Sequence, residues 1–253
     1  MTKKNNRRSG DARQQIIDAI LASRVTSRSL KKPADIKRYL AQYFANIPFE
    51  DLEGRSEPIM ARVALDHLEF GAERKPGQAL LRIFNADEKE HGYSSAFTFV
   101  EMVNDDMPFL VDSVAAAINR HDLGVHITVH PIISVIRDDN GKLMSVTDAN
   151  GDNGVTESFI RFAISRETDP QQLKLLRKEI TKVLSDVRVT VRDWGAMRER
   201  MRETRDLLEN GPNGVDPLLR TESQALLDWM ADEHFTFLGY REYRRVKRGY
   251  RTC

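Results

Sequence analysis

The stretch Val103-Asn104-Asp105-Asp106-Met107-Pro108-Phe109-Leu110-Val111-Asp112-Ser113-Val114 decides the fold. Ahead of it, Phe97-Thr98-Phe99-Val100-Glu101-Met102-Val103 is dense in β-branched and aromatic residues, the composition of a strand. Behind it, Leu110, Val111, Val114, Ala117 and Ile118 fall on one face at helical spacing, predicting a helix from about Pro108 to Arg120 that ends near Gly124. Asp105 and Asp106 suit the start of that helix, because a carboxylate accepts free first-turn N–H groups and proline tolerates the first turn. The unit reads as strand, acidic turn, helix.

Downstream, Val125 to Arg137 alternates, with Val125, Ile127, Val129, Ile133 and Val135 on one face. Asn140-Gly141 signals a two-residue hairpin returning through Leu143, Met144 and Val146. Phe159 to Ser165 is a further strand with Ile160, Phe162 and Ile164 inward, and Ala79 to Phe84 precedes the set. These elements predict an α+β fold: an antiparallel sheet with helices on one face. From Asp169-Pro170 onward, Leu176, Ile180, Val183, Val187, Val191, Trp194 and Met201 form a stripe at three-to-four spacing, favouring helix to about Leu208. Val187-Arg188-Val189-Thr190-Val191 also alternates like a strand, and that reading stays open.

The organisation expected is a disordered basic tail over 1–10, a helical segment over 11–72, an α+β domain over 77–209, and the start of a second, truncated α+β domain over 216–253. Within the helical segment, Asp11, Pro33, and Ser56 with Pro58 are the expected helix openers. Asn210-Gly211-Pro212-Asn213-Gly214 is the clearest linker. Beyond it, Thr221 and Gln224 suggest a capping box, and Phe235 to Tyr243 a strand that the last residues leave unfinished.

With 253 residues, 40% hydrophobic and 30% charged, the chain reads as globular rather than disordered. A net charge of +1 gives no bulk drive toward nucleic acid or an anionic membrane. No stretch nears the ~20 apolar residues of a membrane span. Cys253 is the lone cysteine, which excludes an intrachain disulfide and points to the reducing cytoplasm. No glycine pattern fits a phosphate-cradling loop, and no catalytic constellation stands out. His126 and His130 lie four apart on an expected strand, about 13 Å at ~3.3 Å per residue, too far to share a metal. They remain candidates for contact with a bound ligand, and no metal site is expected.

The run Asp106-Met107-Pro108-Phe109-Leu110 resembles the strand–turn–helix signature of ACT domains, the amino-acid-sensing modules of metabolic enzymes. The longer string from Gly92-Tyr93-Ser94-Ser95 through Asp112-Ser113 resembles the N-terminal region of the large NAD-dependent glutamate dehydrogenases. Lys75-Pro76-Gly77, His130-Pro131 and Phe235-Thr236-Phe237-Leu238-Gly239-Tyr240-Arg241-Glu242-Tyr243 agree with it.

The resemblance implies an ACT-like, ferredoxin-like antiparallel sheet and a non-catalytic regulatory or oligomerisation role. The full-length enzyme would interconvert L-glutamate with 2-oxoglutarate and ammonium, passing hydride to NAD. The NAD site and the catalytic residues would lie outside this segment, which would bind no cofactor. A homo-oligomer and an amino-acid effector are the implied partners.

The effector site would be the turn Asn104, Asp105, Asp106, Met107 and Phe109, with backbone N–H groups holding a carboxylate and an aspartate holding the ammonium. Ligand-binding ACT domains usually carry glycine where Phe109 stands, so a helix-capping or subunit-contact role for the turn is the alternative. A self-contained amino-acid-sensing protein is the rival to the enzyme-part reading, and a pure oligomerisation scaffold built on the 176–201 stripe a third.

Overall fold

The computed structural model describes residues 14–23, 25–149, 154–209, 216–246 and 249–252. The tail expected over 1–10, the cap at Asp11 and the 210–214 linker lie outside the described residues. The chain divides into two compact units, the division falling after Leu184.

The first unit begins with helices α1 (14–22), α2 (Pro33–Phe44), α3 (Phe49–Leu52) and α4 (Glu57–Phe70). Strand β1 (Leu80–Asn85), short helix α5 (Glu88–His91), β2 (Thr98–Asp105) and α6 (Leu110–Asn119) follow. Then come β3 (Val125–Val129), β4 (Ile132–Arg137), β5 (Leu143–Val146), β6 (Val155–Ile164) and the long α7 (Pro170–Glu209).

All pairings in this six-stranded sheet are antiparallel, and β6 is its spine. On one side β6 pairs with β2 from Thr98↔Ile164 to Asp105↔Glu157, and β1 lies beyond β2. On the other side β3 takes the C-terminal half of β6 and β4 the N-terminal half, with β5 outside β4.

The alternation over Val125 to Arg137 is thus two strands rather than one. They break at His130-Pro131, where proline has no N–H for the ladder, and the Pro131 carbonyl instead accepts from the Phe159 N–H at 2.9 Å. The β4–β5 hairpin forms at Asn140-Gly141, but not through the two-residue turn expected: the Gly141 N–H donates to the Asp138 carbonyl at 2.9 Å and the Asp138 N–H to the Lys142 carbonyl at 3.0 Å, so the turn is centred on Asp139 and Asn140 and Gly141 follows it in the left-handed conformation. Gly141 has φ 87°, and a Cβ there would sit 2.5 Å from the Arg74 carbonyl oxygen.

Helix α7 runs unbroken through 187–191, so no strand forms there. The edge beside β2, where a ferredoxin-like sheet would seat its last strand, is filled by β1. Leu176, Ile180 and Leu184 are the buried i, i+4, i+8 stripe of α7.

The expectation of helices on one face is corrected to helices on both. Successive strand residues face opposite sides, yet both the odd and the even rows of β2 and β6 are buried. The odd row meets the N-terminal helices: Phe159 packs its ring 5.8 Å from Tyr39 and 5.2 Å from His67. The even row, with Val100, Met102, Ile160 and Phe162, is left to α6 and α7, whose Leu110, Val114, Ile118, Leu176 and Ile180 are buried. Glu179 of α7 bonds Arg120 and His121 beside α6, both at 2.7 Å. The helical segment expected over 11–72 is therefore a layer of the sheet's own fold.

The second unit holds the end of α7, helix α8 (Pro217–Trp229), a single π turn over Met230–His234, and the hairpin β7 (Tyr243–Val246) with β8 (Gly249–Thr252). Helix α8 starts at Asp216-Pro217, where the aspartate accepts from the Leu218 N–H at 2.9 Å, not at the Thr221 box. Thr221 is inside the helix and bonds back to the Pro217 carbonyl. Residues 235–242 are not a strand; the strand begins where they were expected to end, since an extended segment needs a pairing partner.

Candidate functional site

The turn between β2 and α6 differs from a simple helix cap. Phe109 occupies the N-cap position with φ 71°, the left-handed conformation that favours glycine, and offers no side-chain acceptor. Its ring is 41% exposed, so it is not core. Asp106 accepts from the Ser158 hydroxyl at 2.7 Å rather than from a helix N–H. Asp105 reaches back, accepting from Arg74 at 2.8 Å and from the Gly77 N–H at 3.1 Å. The helix-capping role expected of these aspartates is corrected on that geometry: strand register carries both carboxylates toward β6 and the Arg74 loop instead.

His130 joins the turn and His126 does not. His130 Nε2 lies 3.0 Å from Ser158 Oγ, which in turn donates to Asp106, giving a His130–Ser158–Asp106 chain. The serine is in the middle and spends its proton on the carboxylate, so no base stands ready to activate it as a nucleophile. Burial pushes His130 below its ordinary range, with Asp106 opposing the shift. His126 sits against Phe97 and bonds Ser165 at 3.1 Å, at the opposite end of β6. Asn104 is fully buried in β2. Among the described residues no group of three His, Cys, Asp or Glu could hold a metal ion.

A cluster that sequence reading missed lies on the odd row of the sheet. Glu101 of β2 is fully buried and holds Arg161 at 2.5 Å and Arg82 at 2.6 Å; Arg82 also pairs with Asp66 at 2.6 Å. Arg161 donates to the Tyr93 hydroxyl at 3.1 Å, and its guanidinium stands 3.8 Å from the centre of the Phe99 ring. Burial alone would raise the Glu101 carboxyl; His67 and the guanidiniums of Arg161 and Arg82 around it hold it below the usual range instead.

His67 of α4 is sealed in the same layer. Its Nε2 donates to the Met102 carbonyl at 3.2 Å, so its Nδ1 accepts from the Tyr43 hydroxyl at 3.3 Å. Burial lowers it to about 4.

Four residues along β6, Glu157 anchors a second cluster. It accepts from Arg74 at 2.7 Å and from Arg137 through both oxygens, each at 2.7 Å. Arg137 spends its other N–H groups on the carbonyls of Gly71, Ala72 and Gly141, the first two just past the end of α4.

Beside Arg161 the layers part around a cavity of about 330 Å³. Its walls come from α2, α3 and α4, the Tyr93-Ser94-Ser95 segment, and β2, β3 and β6.

Comparison with known proteins agrees with this geometry. Residues 39–180, more than half of the chain, match the glutamate dehydrogenase ACT1 domain. The chain belongs to this family. The ACT1 match begins within α2 and takes in α3, α4, the whole six-stranded sheet and the start of α7, so both charged clusters and the cavity lie inside it. An NAD-specific glutamate dehydrogenase of Halomonas elongata is 34% identical over 227 residues, covering 88% of this chain. One of Pseudomonas aeruginosa is 30% identical over 232 residues, covering 91%. This ACT1 chain spans 14% of the length of either relative.

Proposed function

We propose that this chain is the N-terminal, non-catalytic regulatory part of an NAD-dependent glutamate dehydrogenase. In the full-length enzyme the reaction is oxidation of L-glutamate by NAD and water to 2-oxoglutarate, ammonium and NADH. The observation that carries the reading is the ACT1 match over residues 39–180 together with relatives of that printed activity, of whose length the chain spans 14%.

The local chemistry agrees. A dinucleotide pyrophosphate needs a glycine-rich turn opening a helix. The turn from β2 into α6 instead carries Asp105 and Asp106, whose carboxylates repel phosphate, and a phenylalanine at the position of closest approach. NAD does not fit there, and no step of the reaction is assigned to these residues. A homo-oligomer in the cytoplasm with an amino-acid effector completes the reading.

Purified residues 1–253 should form no NADH from glutamate and NAD, while the full-length protein should. Glutamate-dependent NADH formation by the 253-residue chain would overturn the non-catalytic assignment. The absence of turnover in the full-length protein would overturn the enzyme assignment.

A further inference from the structure

The cavity of about 330 Å³ beside Arg161 has the dimensions of a small-molecule site, at the lower end of the roughly 300–1,000 Å³ such pockets span. At ~30 Å³ per water it has room for about ten waters, or for a ligand of eight or nine heavy atoms. Its wall is mostly apolar, with Phe44, Leu52, Met60, Val63, Ile127 and Val129 among the lining. It sits on the face of the sheet that carries the N-terminal helices.

Two polar residues of the wall, Arg161 and Tyr93, have hydrogens to donate. Arg161 uses two of its five N–H groups, one on Glu101 and one on Tyr93, and is part of the cavity lining. The Tyr93 oxygen accepts from Arg161, which leaves the phenolic proton to give. Glu101, the acid within reach, already holds one guanidinium on each oxygen. The cavity's own aspartate, Asp51, comes from α3 and is partly exposed, where water screens its charge. A ligand whose carboxylate meets Arg161 thus finds hydrogen-bond donors and positive charge at that end and apolar walls over most of the rest, and an α-ammonium there would lie beside a like charge.

We infer that this cavity binds a small monocarboxylate of about six carbons in all, with an apolar body and no α-ammonium, its carboxylate held by Arg161 and Tyr93. Two-oxo acids and short fatty acids share that chemistry. Binding stands on the cavity alone; a regulatory consequence for an attached enzyme rests on the function proposed above.

The test is calorimetric titration and thermal melting of the 253-residue chain with four matched probes: hexanoate, 2-oxohexanoate, L-norleucine and hexan-1-ol. Both ammonium-free acids should bind at one site and raise the melting temperature. Hexan-1-ol, which lacks the charged hydrogen bonds, and L-norleucine, whose ammonium would lie beside the Arg161 charge, should each bind at least about tenfold more weakly. Tighter binding of 2-oxohexanoate than hexanoate would assign the site to oxo acids, and the reverse to short fatty acids.

Uncharged Arg161 variants strand Glu101 and can fail to fold, so the protein variant is Val63→Phe, which fills the cavity. It should melt normally and lose binding. No binding of either acid, equal binding of hexanol and hexanoate, or unchanged binding in Val63→Phe would overturn the site. Equal binding of norleucine would overturn the exclusion of amino acids. All of these are read without enzyme turnover, so their failure is separate from failure of the dehydrogenase reading.

Discussion

Two arginine–glutamate pairs lie four residues apart on the same face of β6, and they have been built to different ends. Arg137 is closed: all five of its N–H groups have partners, two on Glu157 and three on the carbonyls of Gly71, Ala72 and Gly141. It closes the end of α4 onto the sheet. Arg161 is half open: Glu101 and Tyr93 take one N–H each, and the guanidinium borders a cavity. A charge taken out of water needs a full set of partners. Where the fold supplies them all the group is structural. Where it supplies part of the set beside an empty space, the remainder is available to a ligand.

The comparison breaks if the closed cluster is dispensable. Glu157→Gln removes the anion that Arg74 and Arg137 share, and it should cost about 3–5 kcal/mol in urea unfolding. A loss below 1 kcal/mol would mean the cluster is not a structural keystone.

The seal over the open cluster can be read through pH. His67 titrates near 4 in the folded protein, against about 6.5 unfolded. As pH falls the unfolded chain takes up the proton first. Stability from the neutral imidazole is therefore whole above about pH 6.5 and lost progressively down to about pH 4, some 3 kcal/mol in all. His67→Phe should flatten the stability profile across that window. An unchanged slope would show that the helical layer beside Tyr43 admits water or opens before His67 is protonated.

A smaller effect is expected at the turn, where Asp106 bonds Ser158 on the other row of β6. Phe109 holds a left-handed backbone at a cost of about 1–2 kcal/mol for a non-glycine residue. Phe109→Gly should leave stability unchanged or raise it by about 1 kcal/mol, and Phe109→Ala should cost less than the ~3 kcal/mol of a core phenylalanine. A loss of that size for either variant would restore Phe109 to the core.

The strand–turn–helix at 97–120, the Asn140-Gly141 hairpin and the helix through 187–191 were legible because each rests on local chemistry: β-branched density, a left-handed turn, a stripe at helical spacing. The second helical layer was not. Glu101, Glu157 and Arg161 occupy alternate strand positions, which in a half-covered sheet face water, and only tertiary packing turns them inward. The same limit hid the open cluster, since its partners Asp66, Arg82, Tyr93, Glu101 and Arg161 are scattered over 95 residues with no motif spacing. The acidic turn was located correctly, but the partners of its two aspartates come from β6 and the Arg74 loop, which no local rule connects to it.

The most direct test of an open against a closed arginine is the paired substitution Arg137→Lys and Arg161→Lys, each measured by equilibrium unfolding. Lysine keeps the charge but offers three donors from one point, without the planar fork. Arg137→Lys strands buried carbonyls and should cost about 2 kcal/mol more than Arg161→Lys, whose two bonds lysine can largely replace. Equal losses at the two positions would contradict the account.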